Sequence, residues 1–248
     1  MLAPAHVFLP GETVFFSCRL AGYQAAAADQ KNDQKRVKLS WRIQVTDPAG
    51  VALTREASGN IAEPISAEDK NWFPKFLHSF SVPPFAPGGA YHIKVNAKDE
   101  VGGAELASGI DFQVRGHAVE PSATLAARNL HFVRTENDGP PLDPVIYHPG
   151  ETLWARFDMT GYKYGDKNRY SVEYGLAILR ESGEQVFAQP AAAADSKESF
   201  YPQRYVPGAL SLNLAQDVPE GSYTLLVTME DKIGGQRAET HGTFRIEK

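Results

Sequence analysis

The chain offers few side chains that could do chemistry at the spacing that known mechanisms require. Its 248 residues contain one cysteine and seven histidines, and no two histidines stand close together in the sequence. No Gly-x-Ser-x-Gly, His-Glu-x-x-His or Gly-x-x-x-x-Gly-Lys segment occurs, so nucleophile, zinc and phosphate sites have no local signature. We therefore expect no catalysis and no cofactor, although side chains from distant loops could still converge on a site. The histidines are His6, His78, His92, His117, His131, His148 and His241.

Two aspartates stand at matching places in the two halves of the sequence. Asp99 precedes the pair Gly102-Gly103, and Asp231 precedes Gly234-Gly235. A carboxylate just before such a turn can accept backbone N–H bonds and fix the hairpin, which is the role that we predict for both. The alternative is calcium ligation, which needs several converging oxygens.

Further acids near the junction of the two halves keep the calcium alternative open. They are Asp111, Glu136, Asp138 and Asp143. No calcium-loop pattern accompanies them, so we predict no bound metal.

The composition excludes several classes of protein. Cys18 is a single cysteine, which cannot close an intramolecular disulfide, and its place on the inward side of a strand predicts a small buried side chain. The net charge of -5 and the pI near 5.8 give no basic surface for nucleic acid. No apolar run approaches the roughly 18 residues of a membrane span, and no basic-then-apolar leader opens the chain. We expect neither nucleic acid binding nor a membrane span.

The segments that must position these residues occur twice in the sequence. Short segments of the first half recur in the second half, at a spacing that shifts only where loops are inserted. A repeat of this length predicts two copies of one domain. The matched segments are 10–13 with 149–152, 22–23 with 161–162, 87–91 with 219–223, and 102–103 with 234–235.

Apolar and polar residues alternate within each copy. The clearest segment runs from Val37 to Val45, where Trp41 and four aliphatic residues share one parity, and its counterpart runs from Tyr170 to Ile178. Alternation of this kind is typical of strands with one buried and one solvated face. No segment shows a sustained period of 3.6 residues, so the sequence predicts an all-β protein.

A family resemblance supports this interpretation. The pattern Pro-x-Gly-x-Tyr at 87–91 and 219–223 resembles the tyrosine corner of immunoglobulin and fibronectin type III domains. Trp41 stands where those domains place a buried aromatic residue on the third strand. The stretch from each corner to the following Gly-Gly turn also resembles the macroglobulin-type β-sandwich modules of secreted bacterial proteins. The resemblance implies two tandem immunoglobulin-like antiparallel β-sandwich domains, related by internal repeat, in an extracytoplasmic (periplasmic or secreted) protein.

We place the two domains at 1–116 and 117–248, with residues 116–123 as a short linker. In the second copy, the stretch before Pro149 is long enough for an opening strand, which we place at Leu130 to Thr135. The first copy reaches the same landmark already at Pro10. We therefore expect its opening strand to be missing or short.

Aromatic residues in the irregular segments are the candidates for ligand binding. Flat aromatic faces could stack on sugar rings or anchor a protein partner, whereas the alternative is that they cap the open ends of each sandwich. Phe15 and Trp154 share a repeated position on the parity opposite to the core, which predicts an interface. The ligand-binding candidates are Trp72, Phe73, Tyr162, Tyr164, Phe200 and Tyr201.

These observations favour a non-catalytic tandem β-sandwich that serves as a binding or spacer module of an exported bacterial protein. The expected partner is a protein or a glycan. The alternative is a carbohydrate-binding or accessory module of a carbohydrate-active enzyme, which would use the loop aromatics. A third possibility, an enzyme with an unrecognised site, requires acids and histidines from distant loops to meet. Fold alone does not choose among these functions.

Overall fold

The computed structural model describes residues 6–27, 35–66, 72–136 and 139–248. The structure is nearly all β, with 59% of residues in strands and 1% in helices, which confirms the predicted all-β sandwich fold. The chain divides into two compact units, Met1–His117 (unit 1) and Ala118–Lys248 (unit 2). In the described part of the chain, no helix is long and apolar enough to cross a membrane.

Unit 1 is built from two sheets. The larger has the order β1-β8-β7-β4-β3, with β5 also paired to β4, and the smaller contains β2 and β6. Pairing is antiparallel except between β1 and β8, which are parallel. The strands are β1 (Val7–Phe8), β2 (Thr13–Arg19), β3 (Ala26–Ala27), β4 (Lys35–Thr46), β5 (Ala57–Ile65), β6 (Lys75–Ser81), β7 (Gly89–Asp99) and β8 (Glu105–Val114).

Unit 2 follows the same plan with a different smaller sheet. Its larger sheet has the order β10-β16-β15-β12-β13, and its smaller sheet has three strands, β14-β11-β9. A 3-10 turn at Asp166–Asn168 precedes β12. The strands are β9 (Ala126–Val133), β10 (Ile146–Tyr147), β11 (Thr152–Thr160), β12 (Tyr170–Arg180), β13 (Gln185–Lys197), β14 (Val206–Asn213), β15 (Gly221–Asp231) and β16 (Gln236–Ile246).

The alternation of β4 places its aliphatic side chains in the core of unit 1. Val37, Leu39, Ile43 and Val45 are all buried, as their shared parity predicts. Trp41 departs from the expectation because it is only half-buried. Its ring stacks on Phe76 of the facing sheet, with 4.4 Å between ring centroids, and reaches the margin of the core rather than its centre.

The core of unit 2 is more fully enclosed. The inward-facing residues of β11, β12 and β15 are all buried, and strand β9 adds Phe132 to the same cluster. These residues form one continuous apolar layer between the two sheets. The inward-facing set includes Leu153, Ala155, Phe157, Met159, Tyr170, Val172, Tyr174, Leu176, Ile178, Tyr223, Leu225, Val227 and Met229.

Both predicted tyrosine corners are present. The hydroxyl of Tyr91 donates a hydrogen bond to the carbonyl oxygen of Pro87 at 2.7 Å, and Tyr223 donates to Pro219 at 2.8 Å. Gly89 has a φ of 143°, and a side chain there would meet the ring of Pro48. The corner therefore needs glycine at this position as well as tyrosine.

The opening strand of unit 2 lies earlier than predicted, at Ala126–Val133 instead of Leu130 to Thr135. Asn129 has a φ of 55°, and the register against β11 shifts between Arg156 and Asp158. This bulge absorbs an irregular residue, so the strand continues back to Ala126. In the described part of unit 1, the first strand is β1, which corresponds to β10 because both pair in parallel with the last strand of their unit. The described residues of unit 1 therefore contain no counterpart of β9.

Candidate binding surfaces

The two hairpin aspartates have structural roles. The Asp99 carboxylate accepts hydrogen bonds from the backbone N–H of Gln24 at 2.7 Å and of Val101 at 2.9 Å. The side chains of Asp99 and Asp231 are both buried. Asp99 ties its hairpin to the loop that follows β2, and Asp231 ties its hairpin to the loop that follows β11. The prediction that each carboxylate fixes its hairpin is confirmed.

Asp231 is the more heavily bonded of the two. Its carboxylate accepts hydrogen bonds from the backbone N–H groups of Lys163 at 2.8 Å and of Ile233 and Gly234 at 3.0 Å each. The Nε2 atom of Gln236 donates a fourth bond at 3.1 Å. A carboxylate held by this many donors has little capacity left for another ligand.

These bonds also set the charge state of the two acids. Burial acts to raise the pKa of Asp99 and of Asp231, but the hydrogen bonds that each carboxylate accepts outweigh burial and hold the pKa below its usual range. Because the folded pKa is lowered, the stabilisation is fully present above about pH 4 and is lost as the pH falls through the folded pKa. Both hairpins are therefore fastened by charged carboxylates at neutral pH.

Metal binding finds no support in the geometry. Among the residues that the structure describes, no group of three or more His, Cys, Asp or Glu side chains could hold a metal ion. Asp111 lies beside His92, with 2.6 Å between Oδ1 and Nδ1, and Asp138 lies outside the described residues. Cys18 is half-buried rather than buried, and its partial burial raises the pKa of the thiol.

The aromatic candidates of unit 1 lie on the segment before β6. Trp72 is half-buried, its backbone carbonyl oxygen accepts a hydrogen bond from the hydroxyl of Tyr23 at 3.3 Å, and the two rings meet edge to face. Phe73 is exposed. Trp72 is therefore anchored by its loop, and Phe73 presents its ring to solvent.

The aromatic candidates of unit 2 divide into buried and exposed pairs. Tyr162 and Tyr201 are each only 5% exposed, so neither ring offers a face to a ligand, and the interpretation of these two residues as ligand-binding is wrong. The hydroxyls of Tyr162 and Tyr164 both donate to the carbonyl oxygen of Gln203, and burial raises the pKa of Tyr162. Tyr164 and Phe200 are exposed, and their two loops are joined by hydrogen bonds from the Tyr164 hydroxyl to Gln203 and from Asn168 to the carbonyl oxygen of Phe200.

Phe15 and Trp154 share a position but not an environment. Phe15 is 71% exposed on the outer face of β2, whereas Trp154 is half-buried on β11. The difference follows from β9, because Val133 of that strand lies directly opposite Trp154 and covers part of it. Of the two residues that the repeat predicts at an interface, Phe15 of unit 1 is therefore the exposed one.

Sequence reasoning missed two further exposed apolar residues of unit 1. Leu77 on β6 is 71% exposed and lies diagonally across from Phe15, because Ser17 pairs with Leu77 and Phe15 with Ser79. Ile110 on β8 is 53% exposed although its pairing partner Ile93 is buried. Two signals in the sequence indicated this exposure. Leu77 has the parity opposite to that of Phe76 and Phe80. Ile110 stands at the position where the second copy has glycine.

Comparisons with known proteins give no family for this chain. No family profile and no curated protein matches it. Among solved structures, a family 123 glycoside hydrolase from Clostridium perfringens is similar at 10% identity with a TM-score of 0.33, over 50% of this chain and 27% of that one.

Two further solved structures are similar over nearly the whole chain. Trypsin-activated alpha-2-macroglobulin from Escherichia coli is 13% identical with a TM-score of 0.31, over 99% of this chain and 15% of that one. The C-terminal domain of the AgI/II polypeptide BspA from Streptococcus agalactiae is 10% identical with a TM-score of 0.27, over 98% and 95%. At such TM-scores none of the three likenesses bears on what this chain binds.

Proposed function

We propose that this chain is a non-catalytic binding module of an exported bacterial protein, and that it binds a protein partner through the outer face of β2 and β6. One observation carries the proposal: Phe15 and Leu77 are each 71% exposed and are diagonal neighbours on that face. Large apolar side chains that are this exposed and this near each other are unfavourable in water unless a partner covers them. We call this pair the outer apolar surface.

The surroundings of the outer apolar surface suit a protein partner. The residues that share the face with Phe15 and Leu77 are polar on both strands, small over most of its length and cationic at the end where Arg19 pairs with Lys75. An apolar centre within a polar rim is the usual anatomy of a protein–protein contact. The rim consists of Thr13, Ser17, Arg19, Lys75, Ser79 and Ser81.

The test is affinity capture of envelope proteins of the native organism on the purified chain, with matched variants. We expect the wild-type chain to retain a discrete protein, and Phe15→Asp combined with Leu77→Asp to lose at least about ten-fold of it, because buried charge without a partner is costly. The control is Val186→Asp combined with Phe187→Asp, which changes two exposed apolar residues of unit 2.

Equal capture by the wild-type chain and the Phe15/Leu77 variant would contradict the proposal. A second candidate function is glycan binding, which the exposed rings of Tyr164 and Phe200 in the two joined loops of unit 2 favour. Binding to a glycan array that is lost in Phe200→Ala, together with unchanged protein capture in the Phe15/Leu77 variant, would replace the protein partner with a sugar.

A further inference from the structure

The outer face of the larger sheet of unit 1 contains a polar depression of about 500 Å³. Its floor is the backbone of β4, β7 and β8 at Trp41, Ala97 and Leu106, which pair across the three strands and have inward parity. Outward-facing side chains on either side of this row form its walls. They include Ser40, Arg42, Glu56, Asn96, Lys98 and Glu105.

Arg42 lies between two lysines on this face. It pairs with Asn96 of β7, so Lys94 and Lys98 are its diagonal neighbours on that strand. Diagonal neighbours in an antiparallel pair lie about 7–8 Å apart, which is within reach of long side chains. The three cations therefore lie near enough for two of them to contact one anionic group.

Two of these cations have no counter-charge. In the part of the chain that the structure describes, neither Arg42 nor Lys94 forms an ion pair or a side-chain hydrogen bond. Asp111, the acid diagonal to Lys94, is held instead by His92, with 2.6 Å between Oδ1 and Nδ1. Both cations are exposed, so an anionic ligand has access to them.

Unit 2 has no cation at any of the three corresponding positions. The two tyrosine corners align β7 with β15, and the pairing of β4 and β12 with these strands aligns the rest of the two sheets. On this face of unit 2, Glu230 is neutralised by Lys232 at 3.1 Å and by Arg237 at 3.6 Å. The sandwich therefore does not require the cations of unit 1, which favours a role in binding. The matched pairs are Arg42 with Gly175, Lys94 with Leu226, and Lys98 with Glu230.

Amide and hydroxyl side chains surround the three cations. They can donate and accept hydrogen bonds, as the hydroxyl groups of a sugar require. Ala107 of β8 lies opposite Asn96, and its small side chain leaves room over the depression. The face therefore offers cations for a carboxylate and neutral polar groups for the hydroxyls beside it. The neutral polar residues are Gln44, Ser58, Asn60 and Asn96.

We propose that this face of unit 1 binds an acidic oligosaccharide, with one carboxylate between Arg42 and Lys94 and the adjoining sugar in the depression. We call Arg42, Lys94, Asn96 and Lys98 together the cationic sheet face. The guanidinium of Arg42 presents a planar fork of N–H donors that fits a carboxylate. The inference goes beyond the proposed protein partner, because the outer apolar surface lies on the other sheet of unit 1.

Acids around the depression restrict the charge density of the ligand. Glu56 and Glu105 line it without an ion pair in the described part of the chain, and Glu100 lies 4.0 Å from the Nζ atom of Lys98. A ligand with a phosphate or sulfate on every unit would place charges against these carboxylates, which lowers affinity. A uronic acid chain carries one charge for each sugar, so the face favours a carboxylated sugar over nucleic acid or a sulfated glycan.

The experiment is isothermal titration calorimetry of the purified full chain at about 0.15 M salt, where non-specific attraction between distant charges is screened. The probes are hexamers of galacturonic acid and of mannuronic acid, each with its fully methyl-esterified form as the uncharged match. We expect an acidic hexamer to bind at least about ten-fold more tightly than its ester, because the ester keeps the hydroxyl groups and loses the charge that Arg42 and Lys94 contact.

Variants of single cations locate the binding. Arg42→Gln should weaken binding of the acidic hexamer at least about ten-fold, and Lys94→Gln about three-fold, while both should leave the ester unaffected. Arg115→Gln is the control, because it removes the same charge from an exposed residue that follows β8. Phe200→Ala should leave binding unchanged, which separates this face from the exposed rings of unit 2.

Four outcomes would overturn the inference. The first is no binding of either acidic hexamer, or equal binding of acid and ester. The second is a loss in Arg42→Gln no larger than that in Arg115→Gln, which would make net charge the cause. The third is tighter binding of a sulfated hexamer, which would make the face a general polyanion site. The fourth is loss of binding in Phe200→Ala. None of these outcomes affects the capture experiment on the outer apolar surface, so the two proposals fail separately.

Discussion

Asp231→Ala is expected to destabilise unit 2 by about 4 kcal/mol, because three backbone N–H groups of a buried corner would lose their acceptor together. These groups belong to Lys163, Ile233 and Gly234, and the carboxylate that they share is fully buried. The loss would separate the β15–β16 hairpin from the loop that follows β11. Urea denaturation followed by fluorescence of Trp154, the single tryptophan of residues 118–248, measures the effect.

The matched control for Asp231→Ala is Asp217→Ala, which changes an exposed acid in the loop before β15. Exposed substitutions of this kind alter the free energy of unfolding by less than about 0.5 kcal/mol. A loss below about 1 kcal/mol in Asp231→Ala would mean that water replaces the carboxylate as acceptor, and the structural role assigned to both hairpin aspartates would be wrong.

Phe132→Ala is expected to cost unit 2 about 3–5 kcal/mol, in the range for removing a buried aromatic side chain. The ring fills the space over Gly242 and packs against Phe244 and Tyr147. Its removal would leave a cavity between the two sheets of unit 2. The measurement is again the urea transition reported by Trp154.

Val186→Ala provides the comparison for Phe132→Ala, because Val186 is an exposed apolar residue on β13 of the same unit. It should shift the free energy of unfolding by less than about 0.5 kcal/mol. Equal effects of the two substitutions would show that β9 contributes no closure to the sandwich. The comparison between the open edge of unit 1 and the closed edge of unit 2 would then lose its basis.

The parts of the fold that depend on local pattern could be predicted from the sequence. The alternation from Val37 to Val45 gave both the strand and its buried parity, because side chains of a strand point to opposite faces in turn. The bonds from Tyr91 to Pro87 and from Val101 to Asp99 followed from short motifs, because those partners lie within a few residues, whereas the bond from Gln24 to Asp99 had no signal in the sequence. The alanines at 191–194 have helix-forming composition but lie in β13, since pairing with β12 outweighs local propensity.

The parts that depend on what lies across the sheet could not be predicted. Parity identifies an inward-facing side chain, but burial also needs a covering strand, so Ile110 is exposed where parity alone suggests a core residue. Tyr162 and Tyr201 show the converse, because residues of irregular segments became buried through contacts between loops distant in sequence. Trp41 is partly exposed at the other margin of the unit 1 core, where its ring stacks on Phe76 of β6 and covers Gly59 of β5.

Amide hydrogen exchange of the free chain tests most directly whether unit 1 is open where unit 2 is closed by β9. Strand β2 and its counterpart β11 occupy equivalent places, and each reports on its own outer edge. We predict that amides of residues 13–19 exchange at least about ten-fold faster than those of residues 152–160. Equal protection of the two strands would contradict the account, because it would mean that the edge of β2 is already paired.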